Sequence, residues 1–220
     1  MSGRIAAVIF DMDGVLVDTE PVHQAALTAF VLPGVLTHAQ YRGLVGTGTD
    51  ETMRWIQRTF GRRESVAELR AGYHATVSAL LSSGRLRALP GARELIDAVH
   101  ARGLPIAVAS QSAPAWVRAT LRACGLHRAF PLTVTADEVP RAKPAPDIYL
   151  HAAARLGIDP LRCLAIEDSV PGIRSARDAG MRVVQSRQTA FAAPPQPGAF
   201  VLESLRAFNP AWLDDGLPVS

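Results

Sequence analysis

The chain has 220 residues and a mass of 23.5 kDa, which suffices for one large domain with an insertion. Its composition, 48% hydrophobic and 20% charged, is that of an ordinary globular protein, and no apolar run is long enough to span a membrane. The net charge is only +3 and the arginines are scattered, so we expect no nucleic-acid partner. We also expect a cytoplasmic monomer without a membrane partner.

Five short apolar runs, with a sixth near the C-terminus, are typical of buried parallel strands. They are Ile5–Phe10, Pro105–Ser110, Leu132–Ala136, Cys163–Ile166, Arg182–Gln185 and Ala199–Leu202. Amphipathic stretches between them predict helices at Gly91–Arg102, Pro114–Cys124 and Pro171–Ala179. Alternating strands and helices of these lengths predict an α/β fold with a doubly wound parallel sheet, which is a Rossmann-like core.

One stretch interrupts this alternation. From about Val15 to Ala88 the patterns are helical, and turn residues such as Pro33-Gly34 separate them. About seventy residues between the first and second strands exceed an ordinary crossover connection. We therefore predict an α-helical cap domain at residues 16–88, inserted into a core domain made of residues 1–15 and 89–220.

Polar side chains follow the ends of several predicted strands or lie in the neighbouring loops. They fall in four groups, namely Asp11 and Asp13, then Ser110-Gln111-Ser112, then Lys143, and finally Glu167-Asp168-Ser169. Because the carboxyl ends of parallel strands meet at one edge of a sheet, we expect these groups to lie together. A nucleophile, a proton donor, carboxylates for a divalent cation and groups that hold phosphate oxygens make up a phosphoryl-transfer site.

Among the 23 lysine and arginine residues, Lys143 is the one lysine. Where arginine fills every other positive position, a retained lysine indicates a need for a compact ammonium that a planar guanidinium cannot replace. Chance retention is the alternative. Since Lys143 falls in one of the four polar groups, the sequence favours a functional role.

These groups resemble, in order, the four motifs of the haloacid dehalogenase-like hydrolases. The matching segments are Asp11-Met12-Asp13-Gly14-Val15-Leu16-Val17-Asp18-Thr19, Ser110 at a strand end, Lys143-Pro144-Ala145-Pro146-Asp147, and Ile166-Glu167-Asp168-Ser169 with Gly172-Ile173. The resemblance spans nearly the whole chain. The long first insertion is similar to that of the helical-cap subclass, which holds the β-phosphoglucomutase-like and phosphoglycolate phosphatase-like proteins. The resemblance implies a phosphoric monoester hydrolase.

The resemblance also implies a role for each motif. Asp11 would attack phosphorus and form an aspartyl-phosphate. Asp13 would protonate the leaving oxygen and then take a proton from the hydrolytic water. Ser110 and the Lys143 ammonium would hold the phosphoryl oxygens, and the backbone N–H of Met12 could join them.

A magnesium site is implied by the same motifs. Mg²⁺ would be held by the Asp11 carboxylate, the Asp13 backbone carbonyl and Asp168, with Glu167 as a direct or water-bridged ligand. Taken singly, each motif has a simpler interpretation. These alternatives are a solvated turn for Asp11 and Asp13, a helix cap for Ser110, an exposed loop lysine for Lys143, and a cap of the helix near Pro171 for Glu167 and Asp168.

Two features separate the possible reactions. Asp13, which the dehalogenases lack, argues for phosphate chemistry, and a cap without lysine excludes the Schiff-base route of the phosphonate-cleaving relatives. Mutases of the β-phosphoglucomutase type have an acid-controlling histidine where this chain has His23, but a phosphate-holding arginine where it has Thr49. This favours a phosphatase over a mutase. Three nearby arginines could take the place of that phosphate-holding arginine: Arg42, Arg54 and Arg70.

The predicted substrate is a small phosphorylated metabolite, with a sugar phosphate favoured. The residues predicted to contact it are Met12, His23, Thr47, Gly48, Thr49, Gln111 and Ser112. Small polar side chains in the segment from Thr47 to Asp50 suit a hydroxylated substrate, although a helix N-cap there is the alternative. A phosphosugar mutase and a non-catalytic binding protein with a vestigial site remain the other candidate functions.

Overall fold

The computed structural model describes residues 4–44, 47, 49–82, 86–190 and 192–218. The chain forms two compact units, one made of Met1–Asp18 and Leu86–Ser220 and the other of Thr19–Arg85. We call them the core unit and the helical unit. Their joints lie three residues from the predicted ones, after residue 18 rather than 15 and after residue 85 rather than 88. No helix in the described ranges has the length and apolar character needed to cross a membrane.

The core unit contains a six-stranded parallel sheet with the order β3-β2-β1-β4-β5-β6. The strands are β1 (Ala7–Phe10), β2 (Ile106–Ser110), β3 (Leu132–Thr135), β4 (Cys163–Glu167), β5 (Arg182–Ser186) and β6 (Phe200–Leu202). The central β1 pairs on both sides, since Val8 lies in register with Ile106 of β2 and Leu164 of β4. The chain begins at the central strand β1, adds β2 and β3 on one side, and then adds β4, β5 and β6 on the other. The predicted doubly wound α/β fold is therefore confirmed.

Nine α-helices are present among the described residues. They are α1 (Glu20–Phe30), α2 (His38–Leu44), α3 (Thr49–Phe60), α4 (Val66–Ser82), α5 (Ala92–Ala101), α6 (Pro114–Ala123), α7 (Asp147–Leu156), α8 (Val170–Asp178) and α9 (Trp212–Asp215). The three helices predicted in the core correspond to α5, α6 and α8, with ends within one residue of the predicted ones. Helix α7 was not predicted.

Side-chain size explains how helices cover the sheet. Helix α7 packs on β1, β2 and β3, and α8 packs on β4 and β5. The contact is built largely from small side chains, such as Ala152 and Ala153 of α7 and Ala107 and Ala109 of β2, all fully buried. Because small residues let a helix approach a sheet closely, the loops that enter α7 and α8 are fixed against the carboxyl edge of the strands.

The helical unit contains α1 to α4 and, in its described residues, no strand. Helix α4 packs against both α1 and α3. Its core is apolar, with Met53 and Ile56 of α3 and Leu69 and Val77 of α4 at most 1% exposed. Burial of each such side chain contributes about 1.5–3 kcal/mol, so the packing of these apolar faces stabilises the helical unit.

Candidate active site

The carboxyl ends of β1, β2 and β4 bring together three of the predicted groups. Asp11 directly follows β1, Ser110 is the last residue of β2, and Glu167 is the last residue of β4. The backbone N–H of Asp11 donates a hydrogen bond of 2.9 Å to the carbonyl of Ile166, so the β1–β4 pairing continues to the site. The turn after β1 and the end of β4 are therefore held side by side by the backbone.

Lys143 lies at the centre of these groups. Its ammonium donates hydrogen bonds to Asp11 Oδ1 at 2.5 Å, to Glu167 Oε1 at 2.6 Å and to the carbonyl of Ala109 at 3.0 Å. The side chain is 2% exposed, and these three acceptors match its three donors. A planar guanidinium could not reach three acceptors in this arrangement, which explains a lysine in an otherwise arginine-only chain. The exposed-loop alternative for Lys143 is wrong.

Glu167 is held by five donors. Oε1 accepts from Lys143 Nζ and from the Tyr149 hydroxyl at 2.9 Å. Oε2 accepts from the backbone N–H of Asp168 at 3.0 Å, and from the N–H and the hydroxyl of Ser169 at 3.1 and 3.0 Å. Ser169 in turn caps α8, since its Oγ accepts from the N–H of Gly172. The helix cap is thus Ser169 rather than Glu167 or Asp168.

Two glycines leave room for the acidic side chains. A Cβ added to Gly14, whose φ is +82°, would lie 2.0 Å from Asp168 Oδ2. A Cβ added to Gly172 would lie 1.8 Å from Glu167 Oε1. Both contacts are far shorter than any real Cβ contact, so these positions require glycine for the carboxylates to stay where they are.

Asp11, Glu167 and Asp168 form a cluster that suits a hard cation. Each offers a carboxylate oxygen, and these oxygens lie within 4.8 Å of one another. Oxygen donors of this kind are the ligands that Mg²⁺ takes in phosphoryl-transfer enzymes. The predicted set of acidic side chains therefore fits a divalent cation in donor type and in spacing.

The crowding of charge changes the protonation of the cluster. Burial, with Glu167 and Asp13 adding repulsion, raises the pKa of Asp11 to about 8, although Lys143 opposes the shift. Burial and the charges of Glu167 and Asp11 likewise raise the pKa of Asp168 to about 9. Burial alone would lower the pKa of Lys143, but Asp11 and Glu167 outweigh it and the pKa is raised. Three carboxylates around one ammonium leave excess negative charge, which a cation would neutralise.

Asp13 is oriented by the segment that follows β2. Its Oδ2 accepts a hydrogen bond of 2.9 Å from the Ser112 hydroxyl and a longer one, 3.5 Å, from the Ser110 hydroxyl. Its Oδ1 accepts from the indole N–H of Trp116 at 3.4 Å. The N-cap residue of α6 is Ala113, so Ser110 is not a helix cap.

The remaining predicted core residues lie beside the cluster. Met12 is fully buried in the turn, and its carbonyl accepts from the N–H groups of Leu16 and Val17. The Gln111 side chain is exposed, and its amide donates to the backbone carbonyl of Lys143 at 3.2 Å. Gln111 thereby links the segment after β2 to the Lys143 loop.

The other predicted contacts belong to the helical unit. His23 Nδ1 and the Tyr73 hydroxyl share a hydrogen bond of 2.6 Å. The Thr47 hydroxyl donates to the Leu44 carbonyl at 2.7 Å and lies 2.8 Å from the Thr52 hydroxyl. Thr49 is the first residue of α3, and Gly48 lies outside the described residues. A role for these residues in substrate binding stays a prediction.

Two residues at the site were not anticipated from the sequence. Tyr149 is fully buried, bonds Glu167, and its ring lies 5.1 Å from Lys143 Nζ. Trp116 lies in the first turn of α6 and contacts Asp13. The sequence feature that could have indicated them is their spacing from the motifs. Tyr149 lies six residues after Lys143, and Trp116 lies six residues after Ser110.

Comparison with known proteins identifies the family of this chain. The family model of the haloacid dehalogenase-like hydrolases matches residues 5–180. Protein CbbY of Rhodobacter capsulatus is 39% identical over 192 residues, covering 82% of this chain and 85% of the relative. Fructose-1-phosphate phosphatase YqaB of Escherichia coli is 36% identical over 198 residues, covering 85% and 99%.

A solved structure gives the same result for the fold. The crystal structure of CbbY from Rhodobacter sphaeroides in complex with phosphate has a TM-score of 0.80 at 29% identity. The match covers 92% of this chain and 96% of the other. The family match, the relatives and the shared fold confirm the predicted resemblance, and the chain belongs to the haloacid dehalogenase-like hydrolases.

Proposed function

We propose that this protein is a Mg²⁺-dependent phosphatase that hydrolyses a sugar phosphate through an aspartyl-phosphate on Asp11. The observation that carries the proposal is the contact of the one lysine ammonium with both Asp11 and Glu167, beside the Asp168 carboxylate. The broader prediction of a phosphoric monoester hydrolase is confirmed by the family and by its phosphatase relatives.

In the first step a carboxylate oxygen of Asp11 attacks the phosphorus of the substrate. The bond between that oxygen and phosphorus forms as the bond from phosphorus to the leaving sugar oxygen breaks. The Asp13 carboxyl gives its proton to the sugar oxygen, which departs as an alcohol. Lys143, at 2.5 Å from Asp11 Oδ1, favours the ionised form that attacks and faces the charge of the phosphoryl group.

In the second step Asp13 changes role. As a carboxylate it takes a proton from a water molecule, whose oxygen attacks the phosphorus of the aspartyl-phosphate. The bond from phosphorus to the Asp11 oxygen breaks, inorganic phosphate leaves, and both aspartates return to their initial protonation states. Ser110, whose hydroxyl lies 3.5 Å from Asp13 Oδ2, would hold phosphoryl oxygens together with Lys143 in both steps.

The residues that would hold Mg²⁺ are Asp11 and Asp168, through carboxylate oxygens, and Asp13, through its backbone carbonyl. Glu167 would be a direct or a water-bridged ligand, and its negative charge would favour the cation in either position. Bound there, Mg²⁺ would stabilise the charge on the phosphoryl oxygens and lower the pKa of Asp11.

The substrate class follows from the relatives and from the helical unit. The relative YqaB is a fructose-1-phosphate phosphatase. Thr47 and Thr49 are small and polar, as expected of side chains that bind hydroxyl groups. We therefore propose a phosphorylated sugar or polyol of similar size as the substrate.

The test compares Asp11→Asn with the wild type. We expect phosphate release from fructose 1-phosphate and other sugar phosphates to fall at least about 10⁴-fold, because an amide is not a nucleophile. The matched control is Asp97→Asn at an exposed position of α5, which should retain activity. Circular dichroism should show both variants folded. Excess EDTA should also abolish turnover, and turnover by Asp11→Asn or in EDTA would contradict the proposal.

Product analysis separates the phosphatase from a phosphosugar mutase. Arg70 is the nearby arginine that reaches the start of α3, but its guanidinium is paired with Asp50 at 3.0 Å. A threonine at position 49 also offers a second phosphate no positive charge, which favours hydrolysis. Incubation with a sugar 1-phosphate should release inorganic phosphate, and accumulation of the 6-phosphate instead would establish the mutase.

A further inference from the structure

The side chain of Asp13 is contacted on both of its carboxylate oxygens by one short segment. Ser112, in the loop after β2, donates to Oδ2 at 2.9 Å, and Trp116, in the first turn of α6, donates to Oδ1 at 3.4 Å. Trp116 is half-buried, and the next residue, Val117, is fully buried in the core unit. The indole is therefore attached to a rigid element rather than to a mobile loop.

We propose that Trp116 and Ser112 are positioning residues that fix the direction in which the Asp13 carboxyl faces the leaving oxygen. This inference rests on the proposed function, in which Asp13 is the general acid and base. Neither residue is assigned this role by the family resemblance, which places Ser112 among the substrate contacts and does not involve Trp116.

The argument depends on the freedom of an aspartate side chain. The carboxyl group of an aspartate rotates about two single bonds. A single hydrogen bond to one oxygen still lets the carboxyl group rotate about the line of that hydrogen bond. Donors on opposite oxygens remove this rotation. A general acid contributes about 10²–10⁴-fold only when its proton is aimed at the leaving oxygen, and a misplacement of 1 Å costs up to about 10²-fold.

The two donors also differ in chemistry. An indole N–H only donates, so it holds Oδ1 as an acceptor, whereas a hydroxyl both donates and accepts. Oδ2, which faces the Ser112 hydroxyl, is then the oxygen that carries the transferable proton. The proton passes from Oδ2 to the leaving oxygen as the bond from phosphorus to that oxygen breaks.

The experiment compares a poor and a good leaving group. A sugar oxygen leaves only with a proton, whereas p-nitrophenolate leaves without one, so only the first substrate depends on an aligned acid. The value of kcat/KM reports the steps up to formation of the aspartyl-phosphate, where Asp13 acts as the acid. The variants are Trp116→Phe, which retains an aromatic ring but removes the donor, and Ser112→Ala.

For each variant we expect kcat/KM to fall about tenfold with fructose 1-phosphate and no more than about twofold with p-nitrophenyl phosphate. The matched control is Trp212→Phe, because Trp212 packs against Phe200 and Phe208 elsewhere in the core unit. It should leave the ratio of the two substrates unchanged. Equal losses with both substrates in both variants, or no loss with either, would overturn the inference.

The outcome is separable from that of the proposed function. Asp11→Asn tests the nucleophile and should abolish turnover of both substrates. If it does so while Trp116→Phe and Ser112→Ala change both substrates equally, the positioning role fails and the phosphatase stands. If Asp11→Asn remains active, the mechanism itself fails. Thermal melting of each variant excludes loss of folded protein as the cause.

Discussion

In the core unit the ion pair between Lys143 and Asp11 is almost completely buried, with side chains 2% and 10% exposed, whereas in the helical unit the pair between Arg70 and Asp50 is 47% and 45% exposed. Both pairs have good geometry, at 2.5 and 3.0 Å. Their surroundings differ, since the first also contacts the fully buried Glu167 and the second lies in water. The same kind of contact therefore has different consequences in the two units.

Burial makes the core cluster rigid and dependent on every member. An exposed pair contributes about 0–1 kcal/mol, because water screens it and two long side chains lose freedom. Removing one partner of a buried pair costs about 3–5 kcal/mol, because the other charge is left without compensation. The core unit thus holds prealigned charges that phosphoryl transfer requires, and the helical unit tolerates changes in its polar residues.

The largest effect is expected at Lys143. In Lys143→Met the buried carboxylates of Asp11 and Glu167 lose their common cation, so we expect a loss of about 3–5 kcal/mol of unfolding free energy and about 10²–10³-fold or more of kcat/KM. Lys143→Arg keeps the charge but cannot donate to three acceptors in the same space, and it should also be inactive. Urea unfolding and phosphate release measure the two effects.

The matched control for Lys143 lies two residues earlier in the same loop. Arg141 is 70% exposed and pairs with Asp147 at 2.8 Å. Arg141→Met should cost less than about 1 kcal/mol and leave turnover near the wild-type value. An active Lys143→Arg variant, or equal losses at both positions, would mean that burial does not distinguish these cations.

The second prediction compares alanine substitutions of two helical glycines, one in each unit. In Gly172→Ala the new Cβ meets Glu167 Oε1 at 1.8 Å, so Glu167 must leave its contacts with Lys143 and Tyr149. We expect a loss of about 1–3 kcal/mol and of most activity, even though alanine favours a helix. Gly43 in α2 has nothing within 4 Å of an added Cβ, and Gly43→Ala should gain about 0.5–1 kcal/mol.

Chemical denaturation of both variants measures this difference. The comparison between the units fails if Gly172→Ala is as stable and as active as the wild type. It also fails if Gly43→Ala destabilises the protein by more than Gly172→Ala does.

The third prediction concerns pH. The pKa of Asp11 is raised to about 8 and that of Asp168 to about 9, so between pH 6.5 and 8.5 the folded metal-free chain holds protons that the unfolded chain has released. The stability that a carboxyl group contributes through a raised pKa is complete below its pKa in the unfolded chain. It is lost as pH rises through its pKa in the folded chain. We therefore expect unfolding free energy in EDTA to fall by about 1.4 kcal/mol per pH unit for each such proton.

Magnesium and a substitution sharpen this measurement. Saturating Mg²⁺ should flatten the profile, because the cation stabilises the ionised carboxylates that the metal-free site disfavours. Asp168→Asn in EDTA should have a shallower slope than the wild type. A stability that rises with pH across this interval in EDTA would show that the carboxylates of the cluster are ionised without a cation.

Much of the core unit could be predicted from the sequence, because buried parallel strands are continuous apolar runs with polar residues at one end. The placement of Asp11 after β1 and of Ser110 at the end of β2 followed from those runs. Helix α7 could not be predicted in the same way. Its buried face is formed by Ile148, Tyr149, Ala152 and Ala153, and the two alanines make its amphipathic pattern weaker than those of α5, α6 and α8.

The site was predictable where it depends on strand ends and not where it depends on helix rotation. Trp116 and Tyr149 reach Asp13 and Glu167 only because α6 and α7 turn those side chains toward the strands, and a sequence pattern does not fix that rotation. In the helical unit, Thr47 and Thr49 have no strand end to locate them. Their proposed contacts with substrate rest on residue type alone.

The smallest effect is expected in the helical unit, at the pair between Arg70 and Asp50. Arg70→Met and Asp50→Asn should each change unfolding free energy by less than about 1 kcal/mol, because both side chains are nearly half exposed. A double-mutant cycle should give a coupling of about 0.2–1 kcal/mol that declines at high salt. A coupling above about 2 kcal/mol would mean that this pair is as desolvated as the Lys143 cluster, and the contrast between the units would then not depend on burial.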